Sequence, residues 1–312
     1  MKNYSLSYSI IIGCILLSLG SCKKKEQEDL LPTPTPTNTA PTAITFDVSP
    51  ANGATDINSP LTISWLSATD PDGDAITYDV YFGSNSSNLN LVSENQTTLN
   101  YVSGVLELGT TYYFKVVSKA GEHQTESETR NFVTSTTGSF TDSRDGHTYG
   151  TKLIGSQIWM TENLIYNSTG SYSYNDLSSN DANYGRLYEW SNVSAAIPQG
   201  WHLPTDDEWK TLETHLGMSP SDLNINDYST SRGTDQGTQL LAGGSSGLDF
   251  PLAGFRANGS YSALDDRTYI WVNSESSPNQ IYRRRLQNGN PSCYRFANPA
   301  SGFAISVRLV KD

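Results

Sequence analysis

Short apolar runs that alternate with period two leave this chain little but β-structure to fold into. Leu61-Thr62-Ile63-Ser64-Trp65, Ile76 to Phe82 and Tyr112 to Val117 each carry the pattern over residues 42 to 136. Turn signals fall between them: Pro50-Ala51-Asn52-Gly53, Asp70-Pro71-Asp72-Gly73-Asp74 and Ala120-Gly121. Alternation at that spacing predicts a sandwich of about seven strands. Composition agrees, because Tyr (18) and Gly (25) are plentiful and charged residues make up only 17% of the 312 residues. Such a mixture favours short strands and many turns over long helices. The net charge of −12 argues against nucleic acid as a partner, since phosphate binding needs a basic footprint.

The first 25 residues address the protein rather than build its fold. Lys2 precedes an apolar run from Ile10 to Leu19, which ends in Leu19-Gly20-Ser21-Cys22 and then Lys23-Lys24-Lys25. A basic start, an apolar stretch of about ten residues and small residues before a cut describe a secretory leader. A membrane span would need about 20 apolar residues. Leu19-Gly20-Ser21-Cys22 resembles the lipobox of bacterial lipoproteins, which implies cleavage after Ser21 and lipidation of Cys22. Ile11-Ile12-Gly13-Cys14 looks similar, but a cut there would leave Ile15 to Leu19 on the mature end. An ordinary cleaved leader is the alternative. The charged run Lys23 to Asp29 resembles signals of Bacteroidota lipoproteins. The expectation is an outer-membrane lipoprotein on the extracellular or periplasmic face, meeting the membrane through its lipid.

Residues 22–41 read as a tether, with Pro32, Pro34, Pro36 and Pro41 among threonines. As polyproline II such a segment would reach up to ~60 Å from the headgroups; a linker without a spacing role is the alternative. The cysteines are Cys14, Cys22 and Cys293. One leaves with the leader and one is acylated, so no intrachain disulfide is expected and the cores must supply stability. Cys293 is read as a small buried apolar residue, with a reactive thiol or an intermolecular bridge as the alternative.

Leu106-Glu107-Leu108-Gly109-Thr110-Thr111-Tyr112 resembles the tyrosine corner of fibronectin type III domains, and Trp65 stands where that family keeps its core tryptophan. The likeness covers most of residues 42–136 and implies a spacer or binding module, with the Tyr112 phenol bonded back to the preceding loop. Asp70, Asp72 and Asp74 are spaced like the first ligands of a calcium loop, but Ala75 and Tyr81 stand where glycine and glutamate are needed. A solvated turn between strands is the better reading, with a cadherin-like interdomain site as the alternative.

The remainder is a second domain, 140–312, after a linker Thr134 to Ser139. Asp145-Gly146 signals a hairpin. Thr205 and Glu208 make a capping box, and Trp209, Leu212 and Leu216 share one helical face, which predicts a helix of about three turns after Pro204. Trp201 and Leu203 lead into it as buried anchors. The segments Leu153 to Leu164, Tyr184-Gly185-Arg186-Leu187-Tyr188-Glu189-Trp190, Gly200 to Trp209 and Gly302 to Asp312 closely resemble the Fibrobacter succinogenes major paralogous domain. That resemblance implies a C-type-lectin-like fold, so the whole reads as multidomain: an all-β sandwich followed by an α+β head. Many relatives have cysteine where Ile197 and Leu309 stand here, which implies that these two positions lie close together.

Catalysis finds little support in the residues. Formylglycine-generating enzymes share the implied fold but use two copper-binding cysteines, and only Cys293 is available. No His-Glu-x-x-His zinc motif or Gly-x-Ser-x-Gly elbow occurs, and His202 reads as structural beside Trp201. Asp206-Asp207-Glu208 fit a helix start, where the dipole favours negative charge. No catalytic residue, metal or cofactor is therefore expected. Trp190, Tyr261, Tyr269, Trp271, Tyr282 and Tyr294 are the candidate ligand-binding residues, since aromatic faces among amides and hydroxyls suit recognition. Arg283-Arg284-Arg285 reads as a solvated strand or loop, with an acidic-ligand site as the alternative. The expected function is non-catalytic binding of a glycan or cell-surface protein; an envelope scaffold and an uncharacterised hydrolase are the rivals.

Overall fold

Two β-rich regions follow one another with almost no slack between them. The computed structural model describes residues 37–46, 50–228 and 231–312. The leader, Cys22 and most of the tether lie outside the described residues. Thr39–Asp312 form a single unit, mostly β-sheet. Among the described residues no helix is long and apolar enough to cross a membrane.

The first region holds β1 (Ala54–Ile57), β2 (Thr62–Ser64), β3 (Ile76–Gly83), β4 (Asn90–Gln96), β5 (Asn100–Val102), β6 (Thr111–Ala120), β7 (His123–Glu126) and β8 (Arg130–Thr134). Six of them form one sheet in the order β1-β8-β6-β3-β4, with β7 on β6, while β2 and β5 pair separately. The alternating residues do what their period requires: Ile63, Val80, Phe114, Val116 and Phe132 are fully buried, and Trp65 nearly so, in one cluster. Tyr112 stacks on Phe82 with ring centroids 5.2 Å apart, and its hydroxyl accepts the Glu107 N–H at 3.2 Å. Asp70 Oδ1 accepts the N–H groups of Asp72 and Asp74 at 2.9 and 3.1 Å, so this carboxylate shapes a turn.

Sequence placed a linker at Thr134 to Ser139, and the structure corrects it. Strand β9 (Thr137–Thr141) begins three residues after β8 ends. The residues just before it are tied to both regions: Gly109 N–H of the first donates to Ser135 O at 2.9 Å, and Leu153 N–H of the second to Thr136 O at 2.8 Å. Gly109 has a left-handed φ of 59°, and a Cβ there would lie 2.6 Å from a Leu153 methyl, so both conformation and space favour glycine.

The second region contains β10 (Thr148–Ile154), β11 (Gln157–Met160), β12 (Ser171–Tyr172), α1 (Asp181–Tyr184), β13 (Leu187–Glu189), α2 (Val193–Ala196), β14 (Trp201–His202), α3 (Asp206–His215) and α4 (Gln236–Leu240). Then come β15 (Ala253–Ala257), β16 (Ser260–Leu264), β17 (Arg267–Ser277), β18 (Gln280–Gln287), β19 (Asn290–Pro299), β20 (Phe303–Ser306) and β21 (Val310–Lys311). One sheet runs β14-β21-β11-β10-β9; the larger runs β12-β13-β20-β15-β17-β18-β19, with β16 on β15. The Asp145-Gly146 signal falls in the β9–β10 hairpin, where Thr141 pairs with Thr148.

Helix α3 starts at the predicted place, with the Thr205–Glu208 capping box formed on both sides. Trp209 and Leu212 are fully buried, and Leu216 packs partly against the same cluster. Trp201 and Leu203 enter the other large cluster, where Leu309 and Ile197 also pack. What the helix dipole does not explain is Asp206, which is buried and bonded to Arg284 at 2.9 Å, Arg295 at 2.7 Å and Lys210 at 3.0 Å. Two turns on, fully buried Glu213 meets Arg284 at 2.6 Å and Arg232. Burial raises the pKa of both carboxylates, yet the surrounding guanidinium groups outweigh it and hold both below the usual range. Arg232 also donates to the carbonyls of Leu223 and Cys293 at 3.0 and 2.9 Å, tying down the loop between α3 and α4.

Removing one partner of a buried, hydrogen-bonded ion pair leaves an uncompensated charge and costs about 3–5 kcal/mol. Glu213→Gln is expected to lose that much in urea unfolding. Exposed Asp207, a surface partner of Lys210, should cost under about 1 kcal/mol as Asp207→Ala. Equal losses would contradict the assignment.

Candidate functional site

Strand alternation decides which of the six aromatic candidates can meet. In the β17–β18–β19 ladder Tyr269 pairs with Arg285, Trp271 with Arg283, Arg283 with Phe296 and Arg285 with Tyr294. These residues share one face of the sheet. Arg284, opposite Ile270 and Arg295, points to the other face and reaches α3. The three consecutive arginines, expected to be solvated, are all buried, at 3%, 0% and 9% exposure. Sheet pairing on both sides of β18 removes them from water, which a single sequence does not reveal.

On that face lies a groove of about 180 Å³ lined by Tyr228, Phe255, Tyr269, Phe296 and Phe303 with Arg283 and Arg285. Beside it, sharing Phe303, is a cleft of about 440 Å³ bordered by Trp190, Glu189, Glu275 and Asn279. Trp190 packs on Trp271 with centroids 5.3 Å apart. Trp271 is fully buried, and its indole N–H donates to Tyr188 O at 2.7 Å, so it backs the site without facing solvent. Tyr294 is buried beneath the Arg285 guanidinium, 3.9 Å away.

The other two candidates are elsewhere. Tyr282 packs toward the α3 cluster with Arg295 4.0 Å above its ring. Tyr261, on β16, bonds its hydroxyl to Asp176 and lies 5.2 Å from Tyr174. The groove therefore gathers Tyr269, with Trp190 in the adjoining cleft, and adds Phe255, Phe296, Phe303, Arg283 and Arg285, which sequence reading did not select. A hairpin signal, Asn288-Gly289, lies between β18 and β19, where Gly289 takes a φ of 67°. Counting parity back from that turn puts Arg283 and Arg285 on one face and Arg284 on the other.

These strands complete a recognisable unit. The chain belongs to the Fibrobacter succinogenes major domain family. The family's model matches residues 153–311, about half of the chain, from the end of β10 to β21. No curated protein and no solved structure gives a significant match. Within this Fibrobacter succinogenes major domain, β9 and most of β10 lie before the matched span, yet they are hydrogen-bonded into the sheet that β11 and β21 build.

The titratable groups of the domain are engaged with one another. His202 Nε2 lies 2.7 Å from Glu208 Oε1, and its Nδ1 lies 2.7 Å from Asp312 Oδ1. This clamps the start of α3 to the chain end. His147 meets Glu162 at 3.1 Å. Among the described residues no histidine bonds a hydroxyl or thiol, and no three His, Cys, Asp or Glu side chains are gathered as a metal set. Cys293 is fully buried in the α3 cluster, and desolvation pushes its thiol up to about 12.

Burial disfavours the charged His202 imidazole, but the hydrogen bonds to Glu208 and Asp312 outweigh it and raise its pKa. A raised histidine pKa contributes stability that is fully present below about pH 6.5 and lost as pH rises through the folded value. The thermal midpoint is therefore expected to fall as the pH is taken from 6 to 9. His202→Gln should flatten that fall, and an unchanged slope would contradict the clamp.

Proposed function

We propose that this chain is an outer-membrane-anchored lipoprotein whose Fibrobacter succinogenes major domain is a non-catalytic head that binds a glycan or a cell-surface protein. The observation that carries this reading is the pair of adjoining, solvent-open clefts on the head, lined with aromatic rings. Concave aromatic surfaces with a few polar groups are what ligand sites are made of. Neither cleft is lined by a histidine, and His147 and His202 are held by carboxylates, which favours binding over hydrolysis. In this reading Cys22 carries the lipid, residues 22–41 are the tether, and the first region is a fibronectin type III-like spacer. The Tyr112 hydroxyl accepting the Glu107 N–H supports that likeness through its corner-like contact. The head, with α3 packed against twisted antiparallel strands, is read as C-type-lectin-like.

A scaffolding role draws support from a different place. Val102 and Val105, at 57% and 88% exposure, lie on and just after β5, and exposed apolar side chains beside a short two-stranded sheet suit packing against a neighbour.

Purified full-length protein, tested on a glycan array and on insoluble polysaccharides with calcium and with chelator, is expected to bind saturably. Whole cells should release the Cys22→Ser variant into soluble fractions. Absence of binding to any glycan would move the reading to a protein ligand or to scaffolding, and unchanged membrane fractionation of Cys22→Ser would remove the lipid anchor.

A further inference from the structure

Seven arginines are buried among the described residues, and five have their guanidinium groups answered. Arg232, Arg284 and Arg295 meet carboxylates, as does Arg186 with Asp181 at 2.6 Å. Arg308 has no carboxylate but is enclosed by Asn163 Oδ1 and the carbonyls of Met160 and Leu248. Arg283 and Arg285 differ. Arg283 makes one hydrogen bond, from Nη2 to Pro299 O at 2.6 Å, and its buried Nε has no partner. The Arg285 Nε is likewise buried and unpartnered, with only the Tyr294 ring against its guanidinium. Both line the aromatic groove.

Desolvation pushes Arg283 down to about 10, still far above neutral pH, so the groove holds cations with no carboxylate among its described lining residues. A buried charge is costly unless paired and hydrogen-bonded. The ring faces of Trp271 and Phe303, 4.7 and 4.6 Å from Arg283, offset part of that cost. They leave the Nε–H donors of both arginines unused, and a guanidinium fork fits the two oxygens of a carboxylate or sulfate.

Resting on the reading of the head as a recognition module, we propose that the groove binds a saccharide bearing a carboxylate or sulfate, with the anionic group on Arg283 and Arg285. Stacking on Tyr269 and Phe296 holds the sugar ring. At about 180 Å³ the groove is smaller than sites for drug-sized ligands, roughly 300 Å³ and above, so it takes one ring. The chain continues past Phe303 into the larger cleft beside Trp190, where Glu189 and Glu275 disfavour a second anion. The fit is thus to an acidic ring next to a neutral one. A peptide fits less well, because the groove lies on the face of β17–β18–β19, where backbone groups are already paired in the ladder and cannot hydrogen-bond an added strand.

The test is calorimetric titration of full-length protein with four probes. They are a hyaluronan tetrasaccharide, in which uronic and neutral rings alternate, its methyl ester, a chondroitin sulfate tetrasaccharide and a short acidic peptide. The acid is expected to bind at least tenfold more tightly than the ester. Arg285→Gln, which removes no hydrogen bond, should bring acid and ester within about twofold. Arg283→Lys, which keeps the charge but loses the fork, should weaken the acid severalfold, and a thermal midpoint near wild type shows that each variant is folded. Preference for chondroitin sulfate with the same Arg285 dependence supports the proposal and assigns the anion as sulfate. Equal binding of acid and ester, unaffected by Arg285→Gln, overturns it while leaving the recognition reading intact. Binding of none of these saccharides overturns the proposal, while the recognition reading is decided separately by the glycan array. Arginine-dependent binding of the peptide alone overturns the saccharide assignment.

Discussion

The charge cluster of Asp206, Glu213, Arg232, Arg284 and Arg295 holds the head together at the point where α3 meets the sheet. It fixes more than the helix. Arg284 is drawn to the α3 face by two carboxylates, and because a strand alternates, Arg283 and Arg285 must face the opposite way. A one-residue slip of β18 would expose Arg284 and thrust two unpaired cations into the α3 cluster, at a far larger cost than a lost packing contact. The same cluster anchors the loop after α3 through Arg232. Register, loop and groove thus share one electrostatic constraint.

How much of this could be read from the sequence depended on the range of the interaction. The capping box of Thr205 and Glu208 and the stripe of Trp209, Leu212 and Leu216 are encoded by residues within one helical turn of the next, and they formed where expected. The period-two runs around Ile63, Val80 and Phe114 were legible for the same reason. Arg283-Arg284-Arg285 was not, because charged residues are solvated by default and their burial here depends on β17, β19 and α3, which arrive from up to 78 residues away. Among the aromatics, parity separated Tyr269 from Tyr282, and parity could have been counted from Asn288-Gly289. The segment from Thr134 to Ser139 looked like a linker because small polar residues suit both loops and edge strands; pairing with β10 decided it.

The two regions are joined by short hydrogen-bonded backbone, with Gly109 fitted against Leu153. A first region that continues into the second in this way fixes the orientation of the clefts relative to it. The net charge of −12 repels anions at a distance, so an acidic ligand would be held by short contacts inside the groove instead of by long-range steering. Selectivity would then reside in two guanidinium forks and the rings around them.

The most direct measurement is nuclear magnetic resonance of arginine Nε–H groups in full-length, isotope-labelled protein during addition of the hyaluronan tetrasaccharide. The division of labour along β18 predicts that the Arg283 and Arg285 signals shift and become protected from exchange, while Arg284 and Arg295 stay in place. Shifts at Arg284 with none at its two neighbours, or no shift at any of the four, would contradict it.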